Sequence, residues 1–104
     1  MFTSITLSSM TEDATYYADG FDECIIGVDT EGDVPRVVYD KWAMVLTYLS
    51  QNPDCTWEEA VEFLEYNVWY AYVGKGTPHY LRTVDGSVDQ KRMYVDEIVD
   101  QFRE

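Results

Sequence analysis

Apolar and polar positions along the chain follow periods that predict its elements. Cys24-Ile25-Ile26-Gly27-Val28 and Arg36-Val37-Val38-Tyr39 are short β-branched or apolar runs. Between them lies Asp29-Thr30-Glu31-Gly32-Asp33-Val34-Pro35, rich in turn formers, so the pair reads as a hairpin with a loop longer than two residues. Asp40 then stands where it caps a helix over residues 41–51, on which Trp42, Val45, Leu46 and Leu49 fall at i, i+3, i+4 and i+7. Asn52-Pro53-Asp54 ends it. Thr56 followed three residues on by Glu59 is a capping box, in which each side chain satisfies a backbone N–H of the other residue. The helix it opens is predicted over residues 57–72, closing at Gly74. At 100° per residue, Trp57, Ala60, Val61, Leu64, Val68 and Ala71 share one face, which is assigned to the core. Residues 79–84 alternate like a strand and Asp85-Gly86 turns it. Ser87 with Gln90 is a second capping box, opening a helix to Phe102 on which Val88, Val95, Ile98, Val99 and Phe102 line up.

These elements define an α+β fold: about three helices packed on a small antiparallel sheet of about three strands, in a single compact domain over residues 1–104. The Ser/Thr-rich start, residues 1–17, is expected to be a loosely ordered N-terminal extension. The 104 residues, 46% of them hydrophobic and 15% aromatic, suffice to bury one core and not two.

Charge changes the picture most. Twenty Asp and Glu oppose seven Lys and Arg, for a formal net charge of −13. Residues 1–35 contain no Lys or Arg, and neither do residues 42–74. Phosphate contact needs clustered cations, so direct binding to nucleic acid or to an anionic membrane surface is argued against, and a charge-driven partner should be basic. No apolar run of about 18 residues occurs to span a bilayer. Met1-Phe2-Thr3-Ser4 lacks the basic start and apolar run of a secretion signal, so the expected compartment is the cytoplasm.

The outer face of the 57–72 helix carries Glu58, Glu62 and Glu65, with Glu59 on its flank. Like charges at this spacing destabilise an isolated helix by roughly 0.2–0.5 kcal/mol per pair, and no cation within the helix offsets them. One reading is a solvated face neutralised by Arg82 or Arg92 from elsewhere in the fold. The other is a docking surface, in which Trp69 projects into the same face and Tyr66 flanks it, as aromatic anchors ringed by charge do at interface centres. The last helix repeats the pattern with Asp89, Asp96, Glu97 and Asp100, and two such carboxylate ladders raise DNA mimicry as a special case of acidic docking.

Other candidates reduce to structural readings. Asp29-Thr30-Glu31-Gly32-Asp33 lacks the EF-hand glycine at the sixth position, which leaves a solvated hairpin loop, with a weak cation site as its alternative. Gly74-Lys75-Gly76-Thr77 follows a helix and leads into Pro78, unlike a phosphate loop. Cys24, Cys55 and His79 fit no zinc spacing, and the cysteines are expected to be reduced and buried. No catalytic residue, cofactor or metal is assigned, and the chain is not expected to be an enzyme.

The series Ala18-Asp19-Gly20-Phe21, Ile25-Ile26-Gly27, Val38-Tyr39-Asp40, Thr56-Trp57-Glu58-Glu59-Ala60-Val61-Glu62-Phe63, Tyr66-Asn67-Val68 and Ala71-Tyr72-Val73-Gly74, ending in Gly76-Thr77-Pro78, resembles a family of small acidic proteins of tailed bacteriophages and prophages. The likeness covers roughly residues 18–78. It implies a phage origin and expression inside a host bacterial cell, and no chemistry. The expected role is that of a phage accessory protein that binds and modulates a basic host protein, such as a nucleic-acid-handling or defence component. The partner-binding residues would be Glu58, Glu59, Glu62, Glu65, Tyr66, Trp69, Asp89, Asp96, Glu97 and Asp100. The alternative is a structural or virion-associated homo-oligomer with no host target.

Overall fold

Local rules that need no tertiary context are met first in the structure, a computed structural model that describes residues 6–7 and 14–103. Strand β3 (Ile25–Asp29) and strand β4 (Arg36–Asp40) form the predicted hairpin, with a register irregularity between Ile25 and Gly27. The Asp40 carboxylate accepts from the backbone N–H groups of Trp42 and Ala43 and so starts helix α1 (Lys41–Gln51). Both capping boxes form with both of their hydrogen bonds, at Thr56 and Glu59 for α2 (Trp57–Leu64) and at Ser87 and Gln90 for α3 (Val88–Asp100).

The tertiary arrangement departs from the expectation in three places. Strand β5 (His79–Leu81) is shorter than predicted and pairs in parallel with β4, giving the order β3-β4-β5. The sheet is therefore mixed rather than wholly antiparallel. Two helices and the Gly74–Pro78 loop intervene between β4 and β5, a connection long enough for the crossover that a parallel pair needs. The second helix stops short of residue 72. After Leu64 the chain passes into one π-helical turn, Glu65–Trp69, which departs from the 3.6 period and rotates the positions beyond Leu64 about the helix axis. Third, α1 turns Met44 and Val45 into the core and leaves Leu46 60% exposed.

The core lies between the inner face of β4, α1, α2 and the Ala18–Cys24 segment. Tyr39, Phe21, Met44, Val45, Leu64, Val68 and Cys24 are its largest fully buried side chains, with Ala18, Val37 and Ala60 between them. Of the expected N-terminal extension, residues 1–5 and 8–13 lie outside the described residues. Strand β1 (Thr6–Leu7) pairs with β2 (Tyr16–Tyr17), Ala14 is buried, and the Tyr16 N–H donates to the Gly76 carbonyl at 3.2 Å. The Tyr39 hydroxyl, inside the core, accepts a 2.8 Å hydrogen bond from the Ala18 N–H. Tyr39→Phe leaves that buried donor unsatisfied and is expected to cost about 1–3 kcal/mol, read as a lower urea midpoint at unchanged slope.

Helix α3 stands apart from this core. None of its residues is buried, although its stripe of Val88, Val95, Val99 and Phe102 reads as a core face.

Candidate functional site

Helix α2 exposes its charged side because Ala60 and Leu64, one turn apart, bind it to the core on the other. Glu58 and Glu59 occupy the first turn, where the helix dipole favours negative charge, so this end of the ladder is stabilised locally. Glu59 also has a structural duty, its carboxylate accepting from the Thr56 N–H at 2.9 Å. Glu62 extends the row and Glu65 opens the π-turn, half-buried. Tyr66 is 88% exposed and Tyr70 71% exposed, and with Glu62 and Glu65 they line a shallow, mostly apolar hollow of about 350 Å³.

The cations expected to neutralise this face are elsewhere. Arg82 lies over the Trp42 ring, 5.2 Å from its centroid, and Arg92 pairs with Asp96 of its own helix at 3.8 Å. Lys41 covers Trp69, and Lys75 is 3.9 Å from Asp33. Among the described residues no Lys, Arg or His pairs with Glu58, Glu62 or Glu65.

Trp69 is not on the acidic face. The π-turn carries it round to the core side, where it is half-buried against the hydrophobic cluster with the Lys41 ammonium 4.7 Å above its ring. Tyr70, which the helical pattern did not single out, takes the exposed position beside Tyr66. Its spacing of four from Tyr66 is the one signal that could have found it. Trp69 Nε1 and the Tyr80 hydroxyl are buried with no hydrogen-bond partner among the described residues, and burial, aided by the neighbouring Tyr39, pushes the Tyr80 phenol well above its ordinary value.

The acidic residues of α3 form a different surface. Asp96 is answered on its own helix by Arg92, and Asp100 by Arg103 just past the helix end, at 3.3 Å. Glu97 faces a groove shared with Trp42, Arg82 and Tyr94, and Asp89 is exposed in the first turn. The continuous unneutralised ladder is the one on α2.

The remaining candidates are structural. Asp29 Oδ1 accepts from the Glu31 N–H and Oδ2 meets His79 Nε2 at 2.8 Å. These two contacts, in that order, hold the Asp29 carboxyl below the usual carboxylate range. No group of three or more His, Cys, Asp or Glu among the described residues is placed to hold a metal ion. Cys24 Sγ lies 3.4 Å from the Thr47 hydroxyl, and burial pushes its thiol up; Cys55 is half-buried and both are free. In the Gly74–Pro78 loop the Thr77 hydroxyl, buried, donates to the Gly74 carbonyl and accepts from the Val73 N–H. That loop braces itself and the N-terminal segment. No helix among the described residues is long and apolar enough to cross a membrane.

No family model matches the chain, and no curated protein or solved structure matches it.

Proposed function

We propose that the chain is a phage accessory protein that binds and modulates a basic protein of the host cell through the outer face of α2 and the π-turn. The observation that carries this reading is the carboxylate row of Glu58, Glu62 and Glu65, unneutralised by the protein's own cations, beside the exposed rings of Tyr66 and Tyr70. Such a surface steers a cationic partner over long range and then anchors it through buried aromatic area. Modulation results from occupancy, because a surface complementary to carboxylates is usually one that handles phosphates, and covering it excludes the nucleic acid. DNA mimicry is the limiting form of this mechanism.

The test is paired capture from a bacterial lysate at low salt, using the protein and its Glu58→Lys/Glu62→Lys/Glu65→Lys variant, with elution by duplex DNA and then by rising salt. The substituted positions lie outside the core, and circular dichroism checks that the variant is folded before capture. A basic protein retained by the parent and at least roughly tenfold depleted with the variant supports the proposal. Release by duplex DNA adds mimicry. Retention of the same proteins by the variant, with unchanged salt dependence, refutes it.

A further inference from the structure

We propose that α3 is an assembly helix that pairs antiparallel, about a twofold axis, with α3 of a second copy of this chain. It stands independently of the host-partner reading, since it uses neither Tyr66, Tyr70 nor the carboxylates of α2.

Helix α3 has two sides with different fates. Tyr94, Glu97 and Ile98, together with Gln90 and Gln101, line the groove against Trp42 and Arg82, and so lie toward the body of the domain. Val88, Val95 and Val99 lie on another side, with Phe102 in the turn just past the helix end, and this stripe is open to solvent. Val88 is 83% exposed and Phe102 82% exposed. Val95 and Val99, at i and i+4, form an apolar ridge of the kind that seats against another helix. Contiguous exposed apolar side chains of this kind mark an interaction surface.

The charge distribution selects the partner and its orientation. Residues 88–94 carry Asp89 against Lys91 and Arg92, a net of +1, whereas residues 95–100 carry Asp96, Glu97 and Asp100 with no cation, a net of −3. Two copies laid parallel would set the acidic halves against each other. Laid antiparallel, each Lys91 and Arg92 meets the Asp96 and Asp100 end of the other copy, and the arrangement is self-complementary, as a closed twofold interface requires. The pairs Arg92–Asp96 and Arg103–Asp100 are solvent-exposed and weak, so their members are free to exchange partners across the interface. A single helix pair is a small interface, so association is expected at micromolar rather than nanomolar concentrations. The dimer would present two acidic α2 faces on one body.

Sedimentation velocity of the full chain over a concentration series tests this. The expected result is a reversible monomer–dimer equilibrium, abolished in Val95→Asp/Val99→Asp. Lys91→Glu/Arg92→Glu should weaken it by roughly tenfold or more. Adding Asp96→Lys/Asp100→Lys to that variant exchanges the two half-charges and should restore the dimer. None of these residues is buried, so circular dichroism should show every variant folded. A chain that stays monomeric at the highest concentration overturns the proposal, as does a dimer indifferent to the valine substitutions or a fourfold charge exchange that fails to restore it. Loss of the dimer in Glu62→Lys/Glu65→Lys would also overturn it, by showing that α3 seats on the acidic face of the second copy.

Discussion

Replacing Gly76 with alanine is expected to lower the stability of the domain by about 3 kcal/mol or more, a fall of roughly 12 °C or more in Tm for a chain of this size. Gly76 is bridged in parallel to Thr15 and takes the Tyr16 N–H on its carbonyl. A Cβ at this position would lie 1.9 Å from the Ala14 carbonyl oxygen and 2.9 Å from Thr15 Cα. Those are backbone atoms, so no side-chain rotation relieves the overlap, and the segment carrying buried Ala14 must move away from the loop. Gly32 supplies the control. A Cβ there meets nothing within 4 Å, and Gly32→Ala is expected to stay within about 0.5 kcal/mol of the parent. Thermal unfolding followed by circular dichroism reads both. If Gly76→Ala unfolds at the parent temperature, the N-terminal segment is not held against this loop.

The parts of the fold legible in the sequence are those decided within a few residues. Thr56 with Glu59, Ser87 with Gln90, and Asp40 ahead of α1 each specify a helix start through hydrogen bonds three or fewer residues long, and all three form. The β3–β4 hairpin is likewise a local pairing. The features that the sequence did not disclose depend on contacts distant along the chain. The parallel register of β5 on β4 is set after an excursion through α1, α2 and the Gly74–Pro78 loop, and a three-residue strand carries no periodicity that reports its direction. Trp69 departs from its expected face for a different reason. A wheel of constant pitch assumes unbroken α geometry, and the π-turn over Glu65–Trp69 breaks it at the point where the site begins. Gly76 shows the same limit, since nothing near it in sequence announces Ala14 as its neighbour. As for α3, periodicity identifies an apolar stripe but is silent on whether the covering surface is this domain or another.

Leu64 and Tyr66, two residues apart, are expected to separate stability from binding. Leu64 is fully buried between α2 and the core, so Leu64→Ala removes apolar contact and leaves a cavity, at a cost of about 2–5 kcal/mol. Its urea midpoint should fall steeply, while the fraction that remains folded keeps the parent's affinity for a basic partner. Tyr66 is exposed on the acidic face, so Tyr66→Ala should change stability by less than about 0.5 kcal/mol. Its ring is nevertheless the surface a partner would bury, and truncating such an anchor typically costs roughly tenfold or more in affinity. Urea unfolding and titration of the captured partner against both variants therefore give opposite rankings if the acidic face is the binding surface. Two residues along a helix turn through about 200°, which sets Leu64 and Tyr66 on opposite sides, and the π-turn then holds Val68 and Trp69 against the core with Tyr66 and Tyr70 outside. Equal affinities for Tyr66→Ala and the parent would remove the aromatic anchor from the proposal and leave only its charge.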